Sequence, residues 1–302
     1  MIEGVLGSAV LLTTPILLAA MGGLINRLGG IINIGLEGKM VVGALAGALV
    51  SAAAGSWLLG LVAAAAAGAF VGLLFSWAIT RLGANMIIAG LGLNILILGL
   101  VGYWQVQAYG TAGSLRPEGL ERMPRIVIPL VADIPYLGAV VSGKDPLTWL
   151  AWLLVPVIVV LLARTRWGLR VRASGAGEDA ARSIGLPVLR IRDASTVVAG
   201  ALAGLGGAHL SLALVGLFNR GMTAGRGFIA LAAFYFGRNH PWPTAAACLL
   251  FAVFDALQVR LQGYGVPVQL VQTLPYVMVI VVLAVAGYRD SRTRTRRLVT
   301  TT

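Results

Sequence analysis

The sequence predicts an all-α integral membrane protein: a polytopic bundle of about eight full transmembrane helices plus one short, broken helix. Hydrophobic residues make up 58% of the 302 residues and charged residues only 11%, whereas soluble domains contain about 25% charged residues. The mean hydropathy is +0.90. The apolar residues also form long uncharged runs, near or above the roughly 20 residues that a helix needs to cross a bilayer.

The uncharged runs predict the spans in order along the chain. Full spans are expected near 5–26, 31–52, 57–80, 86–104, 147–163, 195–217, 244–261 and 268–287. The segment 228–236 has only nine residues between two glycines, about 14 Å of helix and half of the hydrocarbon core. This segment is therefore expected to be a half-membrane helix that is buried in protein.

Basic residues predict the orientation of this single domain, residues 1–302. The expected topology puts 15 basic residues on one side and Arg116, Arg122, Arg125, Lys144 and Arg220 on the other. Because cytoplasmic loops are enriched in Lys and Arg, the first side is cytoplasmic. The N-terminus is then outside and the C-terminus inside. The regions outside the spans are an extracellular loop (105–145), a cytoplasmic loop (164–193) and a basic cytoplasmic tail (288–302).

The loop at 164–193 combines high positive charge with local signals for a short helix. Glu178 and Asp179 suit the positive N-terminal end of a helix, Ser174 or a following glycine suits the cap, and Gly185 ends it. A helix of one or two turns, roughly 178–184, is marginal alone in water. The segment is either a solvated basic loop that reports orientation, or an element that docks on a partner. Its seven arginines are at 164, 166, 170, 172, 182, 190 and 192.

Polar residues at membrane depth are the candidates for a transport pathway. Asn33 and Glu37 lie in a glycine-rich stretch that weakens a helix, and an unwound backbone suits a polar substrate. Alternatively, Glu37 pairs with Lys39 or Arg27 and only orders the helix start. Asn94 lies in the middle of an apolar span, where its amide binds either a hydroxylated ligand or a neighbouring helix.

The short helix offers a second set of candidates. Its start at Gly225 would direct backbone N–H groups and Arg226 to one electropositive spot. Phe228 and Tyr235, with Phe234, either supply a stacking face for a ligand or only pack against other helices. Asp255 is expected to pair with an arginine.

Several function classes are excluded by what the sequence lacks. It has no G-x-x-x-x-G-K-[ST] phosphate loop, so ATP hydrolysis would need another polypeptide. Two histidines and one cysteine make a metal site improbable. No nucleophile elbow is present, which disfavours an intramembrane enzyme. The net charge of +12 lies in loops between spans, so it does not indicate a nucleic acid partner.

Seven short stretches follow one another along nearly the whole chain. They are N-I-G-L-E-G-K-M from Asn33, G-L-G-L-N from Gly90, T-R-W-G-L-R-V-R-A-S-G from Thr165, A-A-R-S-I-G-L-P-V from Ala180, G-A-L-A-G-L-G-G-A from Gly200, M-T-A-G-R-G-F-I-A-L-A-A from Met222 and D-A-L-Q-V-R-L-Q from Asp255. In order and spacing they resemble the permease family of ATP-binding-cassette (ABC) importers for ribose, branched-chain amino acids and nucleosides. The resemblance is greatest to the second permease subunit of nucleoside and simple-sugar transporters.

The resemblance implies a bacterial-type cell-membrane permease for nucleosides or simple sugars that an extracytoplasmic substrate-binding protein delivers. It also implies a second homologous permease subunit, in a heterodimer or a homodimer. ATP and Mg²⁺ would bind to a separate ABC ATPase subunit, and this chain would carry no cofactor. By analogy the short helix in the 164–193 loop is a coupling helix that contacts the ATPase. The residues implied for this contact are Glu178, Asp179, Ala180, Ala181, Arg182, Ile184 and Gly185.

Other functions remain open at this point. Branched-chain amino acids or aldopentoses are possible substrates within the same family. A stand-alone channel or secondary carrier would need no ATPase, and the capped loop disfavours it.

Overall fold

The fold is all-helical, as predicted, apart from one two-stranded sheet. The computed structural model describes residues 2–110, 113–129 and 137–261 together with Val277. In these residues the helices are α1 Ile2–Leu28, α2 Leu36–Ala54, α3 Trp57–Thr80, α4 Met86–Tyr109, α5 Leu137–Val141, α6 Pro146–Arg164, α7 Arg166–Ala176, α8 Glu178–Ser183, α9 Val188–Ala208, α10 Arg226–Phe236 and α11 Pro241–Leu261.

Six helices in the described ranges are long and apolar enough to cross a membrane. They are α1, α2, α3, α4, α6 and α9 with its extension to Val215. Helix α11 coincides with the predicted span 244–261 but is not among the six. The predicted span 268–287 and the basic tail lie outside the described residues. The protein is therefore an integral membrane protein with six candidate spans, and the count of about eight stays a prediction.

Three glycine pairs bring α2, α3 and α9 into close contact at the centre of the bundle. Gly68 of α3 lies against the backbones of Gly200 and Gly204 in α9, and Gly43 of α2 also lies against Gly204. A Cβ at Gly72 would meet Thr196 O at 2.6 Å. Without side chains the three backbones approach closely and gain dispersion energy, which drives helix association in lipid. These G-x-x-x-G pairs therefore serve packing within the chain.

The second predicted span is shorter than expected, because α2 begins at Leu36 rather than near residue 31. Residues 31–34 have no regular structure, and Gly30 has φ +88°. This left-handed conformation suits glycine and ends the path of α1. An unwound segment, residues 29–35, therefore joins α1 to α2.

The last part of the α9 span is a π-helix, His209–Val215. His209 is fully buried there, and its Nε2 donates to Asp145 Oδ2 at 3.1 Å. Thr148 joins the pair and connects it to Thr14 of α1. These bonds fasten the end of α9 to the start of α6.

The bundle has two ends, which we name after what they carry. At the loop end, strand β1 (Ser114–Leu115) pairs antiparallel with β2 (Phe218–Asn219). The predicted extracellular loop 105–145 thus has structure of its own, but it begins later than predicted because α4 extends to Tyr109. At the opposite end, the α8 end, the short helix α8 lies between α7 and α9.

Candidate functional site

Two interrupted helices meet inside the bundle: the first turn of α2 and the first turn of α10. A Cβ at Gly227 would lie 2.7 Å from Glu37 Cα, so the two backbones are in contact. Glu37 precedes by about one turn the crossing of α2 with α9, where Met40 meets Gly207. Because Gly207 lies well inside the 28-residue span that ends at Val215, the meeting point is in the interior of the bundle.

Glu37 occupies the N-terminus of α10. Its Oε1 accepts the N–H of Gly225 at 2.8 Å and its Oε2 accepts the N–H of Gly227 at 2.7 Å. The carboxylate is 6% exposed. Neither of the expected partners, Lys39 or Arg27, forms an ion pair with it among the described residues. The N-terminus of α10, which the sequence predicted to be electropositive, is thus paired with the Glu37 side chain of the same chain.

The turn that leads into α10 contains residues in the left-handed conformation. Ala224 has φ +45° and Gly225 φ +76°. At the other end of α10, Arg238 and Asn239 are also left-handed, with φ +52° and +58°. Non-glycine residues rarely adopt this conformation, so α10 is held between two sharp turns. The predicted segment 228–236 is confirmed as a short helix.

Asn33 lies in a buried chain of side-chain hydrogen bonds. Its Oδ1 accepts from Lys39 Nζ at 2.7 Å, and its Nδ2 donates to Asn26 Oδ1 at 2.7 Å. Asn26 in turn donates to Thr196 Oγ1 at 2.8 Å and Ser195 Oγ at 3.2 Å in α9. The unwound segment is therefore fastened to α9 through its amides.

Asn94 of α4 holds the same segment from the other side. Its Oδ1 accepts the N–H of Gly38 at 2.9 Å and its Nδ2 donates to Ile34 O at 3.0 Å. In an uninterrupted helix, this backbone N–H and this carbonyl would be hydrogen-bonded within the helix. The Asn94 amide replaces those bonds. Of the two roles predicted for this amide, the structure contains the bond to a neighbouring helix.

Arg226 forms the predicted pair with Asp255. Its Nη2 lies 3.1 Å from Asp255 Oδ2, and Nη1 donates to the carbonyl of Met222.

The two candidate aromatic residues of α10 lie far from each other. Phe228 is 42% exposed near the start of α10, and Tyr235 lies about 10 Å further along the axis. Tyr235 stacks on Phe234 at 5.0 Å, with the Arg27 guanidinium over its ring. The structure therefore brings Asn33, Glu37, Asn94 and Arg226 together, and Tyr235 lies apart from them.

The sequence reasoning considered Lys39 only as a partner of Glu37 and missed Asn26, Ser195 and Thr196 as members of this cluster. Lys39 is 0% exposed and its Nζ lies 4.2 Å from the centroid of the Phe75 ring. Its place directly before a long uncharged run was the available signal for it. The other three lie near the ends of apolar runs, where polar residues are common, so only the tertiary contact distinguishes them.

The α8 end has a second feature, the short helix with an exposed face. Helix α8 spans Glu178–Ser183 and Ile184 follows it, as predicted. Glu178 forms ion pairs with Arg182 at 2.6 Å and with Arg192 at 2.7 Å. Ala181 is buried, and Ile184 is 74% exposed. The helix is therefore held to α9 on one side and presents the other side outward.

The structure decides between the two caps predicted for α8 and adds a helix before it. Of Ser174 and a following glycine, the glycine is the cap: Gly177 is the N-cap residue of α8, and Ser174 Oγ donates to Gly29 O at 3.0 Å. The segment before α8 is also helical, as α7, because Thr165 caps it by accepting the N–H of Gly168. Gly185, with φ +80°, follows the end of α8 as predicted.

The comparison with known families decides the class of this protein. Residues 5–283 match the family described as the branched-chain amino acid transport system, permease component. The chain belongs to this permease family. The match covers all three features above, namely the interrupted α2, the short α10 and the exposed α8.

Curated relatives of the permease are similar over most of their length. It is 31% identical to the putative glucose ABC transporter permease protein TsgC13 of Haloferax volcanii, covering 96% of this chain and 94% of the relative. It is 31% identical to the nucleoside ABC transporter permease protein NupC of Lactococcus lactis, covering 93% and 91%. It is 32% identical to the guanosine ABC transporter permease protein NupQ of Bacillus subtilis, covering 81% and 78%.

A second type of permease from L. lactis also matches. The nucleoside ABC transporter permease protein NupB is 29% identical over 39% of this chain and 33% of its own. Two nucleoside ABC transporter permease proteins of that organism are thus similar to this chain. No solved structure gives a significant match to this chain.

Proposed function

We propose that this permease translocates nucleosides or simple sugars as one of two similar permease subunits of an ABC importer. The observation that carries the proposal is its similarity to glucose and nucleoside permeases over more than nine-tenths of both chains. Branched-chain amino acids, after which the family is described, and aldopentoses are the alternative substrates. ATP and Mg²⁺ would bind to a partner ATPase, and an extracytoplasmic binding protein would deliver the substrate.

The distribution of charge supports an orientation with the α8 end in the cytoplasm. Arg27 and Arg81 end α1 and α3 at the α8 end, beside the arginines of α7 and α8. Arg116, Arg122 and Arg125 belong to the loop end. Since Lys and Arg are enriched on the cytoplasmic side, α8 would face the ATPase, and the N-terminus of the chain would be outside.

Helix α8 would be the coupling helix. Its outward residues Asp179, Arg182 and Ile184 are exposed, whereas the buried Ala181 faces its own chain. Movement of the ATPases on binding and hydrolysing ATP would displace α8, and α9, which is ion-paired to α8, would move with it. The bundle would then alternate between outward-facing and inward-facing states.

The pathway would pass the junction of α2 and α10. Unwound backbone and half-helix ends supply the polar groups of substrate sites in membrane transporters. Asn33, Glu37, Asn94 and Arg226 are the polar residues around this junction, and Phe228 has an exposed ring near it. Tyr235 would belong to the part of the pathway near the α8 end.

The substrate is tested by direct uptake. In proteoliposomes that contain both permeases, the ATPase and the binding protein, we expect ATP-dependent uptake of a labelled nucleoside or simple sugar. Labelled leucine should not be taken up. Uptake of leucine without uptake of nucleosides or sugars would contradict the substrate class, and uptake without ATPase would favour a stand-alone carrier.

The docking of α8 is tested by an exposed apolar residue. Ile184→Asp should reduce co-purification of the ATPase subunit and ATPase stimulation by loaded binding protein. Leu169→Asp on α7, at a side chain that is 61% exposed, is the matched control and should retain both. If both variants insert into the membrane at the wild-type level and retain ATPase co-purification and stimulation equally, α8 does not contact the ATPase.

A further inference from the structure

Lys39 is a fully buried lysine without an anionic partner in the described part of the chain. Its Nζ donates to Asn33 Oδ1 at 2.7 Å and lies over the ring of Phe75. The two carboxylate oxygens of nearby Glu37 accept backbone N–H groups of Gly225 and Gly227 instead. Burying an amino group with so little compensation is costly. A leucine or methionine would fill the same space more favourably, so packing alone does not account for the lysine.

The bonds that start at Lys39 form one directed chain to the α8 end. Lys39 donates to Asn33, Asn33 to Asn26, and Asn26 to Thr196. Thr196 Oγ1 then donates to the carbonyl of Arg192 at 2.8 Å. Because Lys39 Nζ donates to the oxygen of Asn33, the NH₂ of Asn33 is directed to Asn26, and the NH₂ of Asn26 to Thr196, so Lys39 determines which way both amides point. A chain with a single direction is strengthened by mutual polarisation of its members.

Arg192 connects this chain to the short helix. Its Nη1 lies 2.7 Å from Glu178 Oε2 in α8, and its Nε donates to Gly29 O at 3.4 Å. Ser174 of α7 donates to the same carbonyl at 3.0 Å. Both ends of the unwound segment are thus tied to the α7–α9 region, at Gly29 by backbone and at Asn33 by side chain.

The opposite end of the chain reaches the broken helix. Lys39 and Glu37 lie in the same first turn of α2, and Glu37 holds the N-terminus of α10. A displacement of α8 and the start of α9 therefore reaches α10 through side-chain hydrogen bonds and one turn of α2. Residues 31–34 of the unwound segment have no regular secondary structure to resist such a shift.

We infer that Lys39 is a positioning residue that transmits movement of α8 to the broken helix α10, through the Asn33–Asn26 amide pair and Arg192. The inference rests on the proposed function, because it assigns the route by which ATPase movement reaches the pathway. Lys39 itself need not contact substrate. It acts by holding the two amides in one orientation, so that α1, α2 and α9 move together at this point.

The test compares variants of Lys39 and of its hydrogen-bond partners with a control variant in the reconstituted importer. Lys39→Met removes the donor and leaves Asn33 Oδ1 without its bond, whereas Lys39→Gln retains a donor without charge. Thr13→Val is the control, since Thr13 of α1 is also fully buried but, within the described residues, its hydroxyl bonds only to Ala9 of its own helix. The readouts are substrate transported per ATP hydrolysed, ATPase stimulation by loaded binding protein, and melting temperature.

We expect Lys39→Met to keep the ATPase bound but to lower transport per ATP by roughly 5- to 150-fold, the usual range of allosteric coupling. Lys39→Gln should recover much of this loss, because it retains a hydrogen-bond donor for Asn33. If residue 39 served packing alone, Met would instead be tolerated better than Gln. Adding Thr196→Val to Lys39→Met should cause little further loss, since residues of one network are not additive.

Four outcomes would contradict these ideas in different ways. Transport per ATP in Lys39→Met equal to that of Thr13→Val would overturn the transmission role, and so would full additivity with Thr196→Val. If Lys39→Met does not fold, the same comparison is made with Lys39→Gln. Transport per ATP no better than that of Asn33→Leu, which lacks the acceptor for residue 39, would then overturn the transmission role. A wild-type complex that transports nothing would instead overturn the proposed function, and the inference with it.

Discussion

The carboxylate of Glu37 provides the sharpest test of the junction between α2 and α10. The substitution Glu37→Gln keeps the size of the side chain but removes its charge and one acceptor oxygen. One oxygen can still accept a backbone N–H, while the amide NH₂ would face the other N–H. The variant therefore loses one hydrogen bond entirely and the ionic character of the second.

The two bonds set the magnitude. Gly225 N and Gly227 N lie 2.8 Å and 2.7 Å from the carboxylate oxygens, and Glu37 is 6% exposed. A hydrogen bond to a charged group contributes about 1.5–3 kcal/mol, and a buried donor left unpaired costs about 1–3 kcal/mol. The expected destabilisation is about 3–6 kcal/mol. The lost interaction with the α10 dipole acts in the same direction.

The assay is thermal denaturation of the purified permease in detergent, combined with uptake in the reconstituted importer. We expect Glu37→Gln to lower the melting temperature by on the order of 10 °C and to impair uptake. Glu118→Gln, at an exposed position of the loop end, is the control. If Glu37→Gln melts and transports like this control, the carboxylate does not hold α10 and the reasoning is refuted.

Three further predictions concern packing, a buried ion pair and pH. Gly204→Leu should destabilise the bundle by about 1–3 kcal/mol or prevent folding, because its Cβ would enter α3; Gly92→Leu, with open space around it, should be neutral in the same melting assay. Arg226→Met or Asp255→Leu alone should cost about 3–5 kcal/mol, and the double variant should recover most of the loss, as a double-mutant cycle would measure. Burial raises the pKa of Asp145, but hydrogen bonds from its histidine and threonine partners lower it, to about 2. Since the unfolded pKa is about 3.9, its contribution of about 2–3 kcal/mol is present above pH 4 and is lost as pH falls towards 2. Melting curves of Asp145→Asn should lack this dependence.

Local features of the molecule were predictable because their causes are local. Helix α8 begins after Gly177 and ends before Gly185, and both signals lie within a few residues of the helix they bound. The short helix α10 followed in the same way from the glycines on each side of it. Six of the predicted spans appear for a similar reason, since length and apolarity alone decide whether a helix can cross a bilayer.

Pairing between distant residues was not predictable. The sequence marked Glu37 and the Gly225–Arg226 turn as candidates, but 188 residues separate Glu37 from Gly225, and a pairing over that distance depends on how α2 and α10 pack. The alternative of an ion pair between Glu37 and Lys39 or Arg27 was wrong for this reason. Neighbours in sequence are the natural choice until the fold offers two backbone N–H groups instead.

The sequence by itself determined that this protein is an integral membrane helix bundle with a short capped helix and a broken one, because hydropathy, charge and helix signals act within a single segment. Only the tertiary structure decided what the polar residues inside the bundle do. It directed the three glycine pairs inward, placed Glu37 on α10 and tied Lys39 through two asparagines to Arg192. These pairings depend on which backbones approach each other, and that is set by the packing of the whole bundle.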